Sequence, residues 1–315
     1  MTAHPRPSTR RSRVGLFRPS LSPWVDLREP AAADAPGRLR AVFLGVSTIL
    51  LTDGETAVLT DGFFSRPSKF DLAFKRLTPN RARVEAALAR FGLSRLDAVF
   101  VAHSHFDHAL DAPLVAELTG ARLIGSGSTH NIAVGQGLDH DRCDPVVLGE
   151  PMRFGSLTLT ALAAEHSPGD IAPGVIGRPL RTGRVGDFKT GDCYSLHVAH
   201  PDGELLVHAS ANWLPGALDG HRADTVYLGV GALGEQGERF RSDYWHHVVE
   251  RTGARRVVPI HWDDFTISLK HPPRPLPRLV DDIGSSLDFL SGRARDGGVD
   301  LALPVLGRRT DPFRT

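Results

Sequence analysis

Cysteine is scarce: Cys143 and Cys193 are the only two in 315 residues, and no Cys-x-x-Cys spacing occurs. Neither a disulfide framework nor a thiolate metal site is indicated, and both read as ordinary reduced thiols. Charge of one sign is also lacking. The 37 Lys and Arg nearly cancel the 36 Asp and Glu, leaving +1, so no global field favours nucleic acid or an anionic membrane. No apolar run approaches the roughly 18 residues of a membrane-spanning helix. Arg10-Arg11 has the pairing of a twin-arginine export signal, yet Val14-Gly15-Leu16-Phe17 is followed by Arg18 and Pro19. The apolar region of such a signal is therefore missing, and a cytoplasmic protein is expected. No Gly-x-Ser-x-Gly elbow appears, which argues against a covalent serine mechanism.

What remains is a chain long enough for one large domain or two ordinary ones. Residues 1–38 are rich in Arg, Pro, Ser and Ala, with Trp24 and Leu27 as the main apolar anchors, and read as an extended or partly disordered extension. From residue 39 the pattern changes. Leu39 to Leu51 and Thr56 to Thr60 are strand-like around an Asp53-Gly54 turn. Asn80 suits the N-cap of a helix that runs to Phe91 and stops at Gly92, because Val84, Ala87, Leu88 and Phe91 recur at three- and four-residue spacing. Helix and strand then alternate through residue 124, with further helix near residues 131–134. A β-rich stretch follows, with strands over 152–154, 157–164, 194–199 and 205–209. Residues 167–191 form a Gly-, Pro- and Arg-rich loop of the kind that shapes a substrate mouth. A helix over 244–251, a strand over 256–260 and a last helix over 279–295 complete the reading, which is α/β in class.

One stretch stands out. His103-Ser104-His105-Phe106-Asp107-His108 places four metal-binding side chains within six residues, after the strand-like run 96–102. A lone histidine is usually an ordinary residue; His-x-His-x-Asp-His is much rarer. Imidazole and carboxylate suit zinc and its first-row neighbours, and a catalytic site needs about three protein ligands plus an open position. A weak internal echo accompanies it. Asp53-Gly54-Glu55 and Asp202-Gly203-Glu204 are both turn-like, and Asp61 and Ser210 follow them at the same interval. Two similar halves packed face to face are expected.

With Asp61 after a strand, the hexapeptide, His166 in Ala164-Glu165-His166-Ser167 and His261 in Pro259-Ile260-His261-Trp262, the sequence resembles the metallo-β-lactamase superfamily over approximately residues 40–270. The resemblance implies a four-layer αββα sandwich spanning 39–315 with metals at the sheet edges. It implies that His103, His105 and His166 surround one ion and that Asp107, His108 and His261 surround a second. Asp61 would orient a ligand histidine, and Asp107 would be the catalytic proton-transfer residue. Zinc is the first candidate, with manganese or iron as alternatives. One position departs from the pattern: Ser210 stands where dinuclear members carry a bridging Asp, so one or two ions are expected, and His208 shares its strand face. Among branches, the chain is loosely similar to the group that includes ascorbate-phosphate lactonase and N-acyl phosphatidylethanolamine phospholipase D.

The leading expectation is a metal-dependent hydrolase of a small ester, lactone or phosphodiester, with a metal-activated hydroxide as nucleophile. Lys189, with Arg178, Arg181 and Arg184, is a candidate for an anionic substrate group, and Trp262, with Trp213 and Phe265, for an apolar wall. The alternatives are an RNA-processing nuclease of the same fold, disfavoured by the balanced charge, and a non-catalytic metal-binding member with an impaired second site. A small-molecule substrate and no nucleic acid are expected, and a homo-oligomer is compatible with the sequence.

Overall fold

A computed structural model describes residues 17–33 and 35–314. Arg10-Arg11 and Val14-Gly15-Leu16, weighed above as an export signal, lie outside the described residues.

The run expected as one strand from Leu39 to Leu51 is split into β1 (Arg40–Phe43) and β2 (Ile49–Thr52), which pair antiparallel with Phe43 opposite Ile49. The reversal depends on Gly45, whose φ is +99° and whose missing Cβ would lie 1.9 Å from the Arg66 guanidinium. Any larger residue there collides as well as straining the backbone. The Asp53-Gly54 turn leads into β3 (Ala57–Thr60), antiparallel to β2. Connections then become helical and the strands parallel: β4 (Ala98–Phe100), β5 (Arg122–Gly125) and β6 (Cys143–Pro145) follow β3 in one direction. Between β3 and β6 lie α1 (Lys69–Phe74), α2 (Arg81–Phe91), α3 (Phe106–Ala109), α4 (Ala112–Thr119) and α5 (Gly127–Gln136). As expected, Asn80 caps α2 by accepting the Arg83 N–H, and Gly92 ends it in the left-handed region, while Val84, Ala87 and Leu88 are buried.

The second sheet repeats the plan. β7 (Pro151–Phe154), β8 (Leu157–Ala164), β9 (Cys193–His200) and β10 (Gly203–His208) form an antiparallel meander. β11 (Thr225–Gly229), β12 (Arg256–Ile260) and β13 (Asp300–Leu301) then add in parallel, with α6 (Glu238–Trp245) and α7 (Ile283–Gly297) as their helical connections. β14 (Arg309–Thr310) returns to pair with β1, so among the described residues each sheet has seven strands.

Side chains alternate along the first sheet in a way that builds the layers. Ala41, Phe43, Ile49, Leu51, Val58, Ala98, Phe100 and Ile124 share one core with the second sheet, α6 and α7. Val42, Leu50, Leu59, Val99 and Leu123 face the other way and pack with Val84 and Leu88 of α2, Val115 of α4 and Ile132 of α5. Period-two alternation with both faces buried makes a sheet sandwiched between helices and a second sheet. The result is the expected four-layer αββα arrangement.

This plan sets where function can sit. Asp61, His103 and Ser126 follow β3, β4 and β5; Ser210, Val230 and His261 follow β10, β11 and β12. Because β8 runs with β10, His166 beyond β8 reaches the same edge. The carboxyl ends of parallel strands thus meet across the sandwich, a usual place for a site. At the opposite edge the two hairpin turns are tied together. His200 lies 3.9 Å from Asp53 and 3.5 Å from Asp202, and Asp202 accepts the Leu39 N–H at 2.8 Å.

Within residues 17–33, Ser22–Leu27 form a short 3-10 turn and Trp24 and Leu27 pack on the shared core. Glu29 is buried and accepts from the Arg256 guanidinium at 2.9 Å, and Arg256 also bonds Asp300. Burial pushes the Glu29 carboxyl above its usual range, against the pull of Arg256. Removing Glu29 leaves buried Arg256 with the half-exposed Asp300 as its carboxylate partner, a poorer counter-charge. Glu29→Ala is therefore expected to cost about 3–5 kcal/mol in chemical denaturation, and replacing Glu29 and Arg256 together with apolar residues should cost less than Glu29→Ala alone.

Candidate metal centre

The hexapeptide occupies the turn between β4 and α3. β4 is apolar throughout and fully buried, so the chain leaves it at a fixed place, and His105 starts α3 in extended backbone. The short α3 turns Asp107 and His108 inward. His103 is 2% exposed and His108 fully buried, and their rings lie 3.8 Å apart. His166 joins from beyond β8, with ring centroids 4.9 Å from His103 and 4.6 Å from His105. His261, beyond β12, stacks on His108 at 5.3 Å and places Nε2 3.3 Å from Asp107.

Two triads result. One donor atom from each of His103, His105 and His166 lies within 4.8 Å of the others, and the same holds for Asp107, His108 and His261. The donors fit a cation for a reason apart from spacing. Both ring nitrogens of His103 and Nε2 of His108 are buried without a hydrogen-bond partner among the described residues. Each orphan of that kind costs about 1–3 kcal/mol unless something accepts its lone pair. Burial first, and then the surrounding imidazoles, hold His103 far below the ordinary histidine range, and the same causes bring His166 down to about 4. Neutral imidazoles are what a metal requires. Asp107 is held low despite its burial, because His108 and His261 favour its charged form.

The outer nitrogens are held from behind. His108 Nδ1 donates to Asp61 Oδ2 at 2.8 Å, which leaves Nε2 facing the site. Asp61 is itself fixed by the Ala102 N–H at 2.8 Å and by the Ser47 hydroxyl. His166 Nδ1 donates to the Ser167 carbonyl at 2.9 Å. His105 Nε2 lies 3.1 Å from Thr190 Oγ1 and 3.3 Å from Asp170, leaving Nδ1 for the site. Such partners choose the tautomer and aim the ring.

Backbone strain collects here too. Val46, Asp61, Arg66, Ala232 and His261 all have positive φ, between +45° and +62°. Residues in that region cost of order 1–3 kcal/mol each and persist only where neighbours over-determine them. The neighbours are identifiable. His261 N–H bonds the Val46 carbonyl at 2.7 Å, Val46 N–H bonds Asp263 at 2.7 Å, and Asp263 pairs with buried Arg66 at 2.8 Å. Asp111 accepts from the backbones of Phe64 and Ser65 at 2.8 and 2.6 Å and fixes the loop that carries Arg66.

Other expected site residues fall elsewhere. Ser210 lines the cavity beside the triads, but His208 does not turn towards it: its nitrogens bond Ser195 Oγ and the Asn212 carbonyl, both at 2.6 Å. Lys189 and Arg178 line a separate cleft with Asp187, and Arg181 lines another with Glu117, so the expected anion-binding role of Lys189 has no geometric support. Trp262 is 3% exposed and stacks on Phe43 in the inter-sheet core at 6.0 Å, which removes it from substrate contact. Trp213 stacks on His247 instead. Phe265 does line the cavity. Ser47, Arg66, Asp111, Asp170, Thr190 and Asp263 carry no short-range signal; only the hydrogen bonds across tens or hundreds of residues show their part.

Residues 56–262 match a family model described as "Beta-lactamase superfamily domain". The chain is similar to the UPF0173 metal-dependent hydrolase of Rubrobacter xylanophilus, at 27% identity over 258 residues, covering 80% of this chain and 93% of that one. Among solved structures it is similar to Igni18, a metallo hydrolase from the archaeon Ignicoccus hospitalis, with TM-score 0.57, 15% identity and coverage of 86% and 97% of the two chains. It is also similar to CmlA, a diiron beta-hydroxylase from Streptomyces venezuelae, with TM-score 0.54, 17% identity and coverage of 87% of this chain and 54% of that one. At such identities the structural likenesses speak to the fold alone.

The Asp61–His108 bond makes a measurable claim. Asp61→Asn should weaken metal binding by about 10–100-fold, the usual effect of losing a partner behind a ligand histidine. Competition with a chromogenic chelator reads it, and unchanged affinity would show that Asp61 serves packing only.

Proposed function

The chain belongs to the beta-lactamase superfamily, and we propose that it works as a metal-dependent hydrolase in which the two triads hold divalent cations. The observation that supports this most is the pair of converging donor sets with orphaned, buried ring nitrogens. His103, His105 and His166 would hold one ion, and Asp107, His108 and His261 the other. Five imidazoles and one carboxylate form a nitrogen-rich set that favours zinc, with manganese and iron as the other first-row candidates. Ions held there would supply a hydroxide from water near neutral pH and polarise the bond under attack.

The chain's own residues do the rest. Asp107, 3.3 Å from His261 and 3.8 Å from His108, is the carboxylate placed to carry a proton between the attacking water and the leaving group. Asp61 and the Asp170–Thr190 pair keep His108 and His105 in the tautomers that point lone pairs inward. The substrate would be a small ester, lactone or phosphodiester entering the cavity of about 240 Å³ above the triads.

Ser210 bears on how tightly the second ion is held. The segment Ala209–Asn212 brings no carboxylate to the cavity: Asn212 turns away to bond the His166 carbonyl at 2.8 Å and Glu165 at 3.4 Å. With one negative charge fewer between the triads, a second ion should be held more weakly than the first one to bind.

Two outcomes are expected. Turnover of aryl ester and phosphodiester substrates is abolished by chelation and restored by zinc or manganese; turnover that survives complete metal removal would overturn the reading. In addition, Ser210→Asp should tighten the second equivalent of zinc in a calorimetric titration by about tenfold or more, as expected for adding a charged ligand. An unchanged second step would show that Ser210 does not occupy the bridging position.

A further inference from the structure

The walls of the cavity name a substrate class more narrowly than its floor. Above the triads the lining includes Ile171 and Val185 from the 167–191 loop and Phe265, Leu276 and Val280 from the segment after β12. Phe265 sits edge-on against Phe106 of the hexapeptide at 5.9 Å, so this wall is seated directly on the metal-binding turn. Ile171 and Val280 are 77% and 57% exposed and form the rim. Apolar side chains left open at the mouth of a site mark a surface that a ligand covers. Phe265, Leu276 and Val280 lie beyond the matched span 56–262.

Charge points the same way. Among the described residues, no Lys or Arg lines the cavity. Of the loop cations that could have met a phosphate, Lys189 and Arg178 line one other cleft and Arg181 a third. The cavity instead holds a second carboxyl, Asp281, which is 3% exposed with Oδ1 unpartnered. Burial pushes that carboxyl up to about 7, against the Ala232 N–H and His261, with Glu235 and Asp282 adding to the rise. An anionic diester would meet the metals at one end but would find no fixed cation, and one further acid, along the walls.

Resting on the hydrolase reading above, we propose that the natural substrate is an uncharged carboxylic ester or lactone whose short apolar body lies against Ile171, Phe265, Leu276 and Val280. In the reaction the oxygen of water bonds to the acyl carbon and the acyl carbon–oxygen bond to the alcohol breaks. A proton from water ends on the departing oxygen, so ester plus water gives acid plus alcohol. Phosphodiesters are selected against by the absence of a cation in the walls.

The test compares substrates sharing one leaving group on protein of measured metal content: p-nitrophenyl acetate, propionate and butyrate against bis(p-nitrophenyl) phosphate. From acetate to butyrate kcat/KM should rise by about fourfold per methylene, the ratio given by burying one CH₂. All three esters should exceed the phosphodiester. Val280→Asp, at an exposed position that should not disturb folding, is expected to flatten the chain-length dependence. Val280→Arg, which installs the missing cation, should shift the ratio of the two substrate classes by about tenfold or more towards the phosphodiester. A wild-type preference for the phosphodiester with no dependence on acyl length would overturn the substrate assignment and leave the hydrolase reading intact. Absence of turnover of either class by metal-loaded protein would overturn both.

Discussion

Five imidazoles and a carboxylate are packed at one sheet edge with several lone pairs facing nothing but each other, and the rest of the structure is arranged to sustain that. Such a cluster is unfavourable in an apolar interior. It is held by contacts made on the far side of each ring. Asp61 behind His108, Thr190 and Asp170 behind His105, and the Ser167 carbonyl behind His166 each occupy one nitrogen and leave the other aimed inward. The strained backbones of Asp61 and His261 belong to the same economy, since the positive φ that aims each side chain is maintained by bonds to Phe100 and Val46. A site built in this way is positioned by contacts within the protein itself.

Rigidity of the edge depends on the two sheets meeting in register. Each sheet contributes a hairpin, then parallel strands with helical connections, so the carboxyl ends of β3, β4, β10 and β12 converge. At the other end of the sandwich His200 stands between Asp53 and Asp202 and holds the two hairpin turns together. Near the site, the buried Arg66–Asp263 pair does the corresponding work, binding the turn after β1, the loop after β3 and the segment after β12 into one unit. Buried ion pairs contribute modestly to stability but fix geometry firmly when every partner is in place.

The sequence was most legible where interactions are short-range. The cap residues Asn80 and Gly92, with the apolar spacing between them, define α2 without tertiary help. The hexapeptide was legible because its donor side chains are adjacent in sequence, and β8 and β12 because their strand-like runs have clear ends. The αββα plan came from the resemblance, with which the strand and helix order was compatible. What stayed hidden was long-range or ambiguous. β11 is a five-residue apolar run without periodicity, α1 is a short turn with no buried residue, and β6, β13 and β14 are too brief to signal themselves. Lys189 and Trp262 drew attention through residue type and sequence neighbourhood, yet loop path and sheet face decide where they point. Asp170, Thr190, Ser47 and Asp263 drew none, because a second partner behind a ligand histidine has no fixed spacing from it.

If the two triads are cation sites of unequal strength, the metal content of purified protein will show it in two steps. After exhaustive dialysis against metal-free buffer and re-equilibration with limiting zinc, elemental analysis should find about one equivalent retained per chain and a second, weaker one filling at higher zinc. His103→Ala should lose the retained equivalent. A chain that keeps no zinc, manganese or iron under these conditions, with its fold intact by circular dichroism, would mean that the triads are not cation sites.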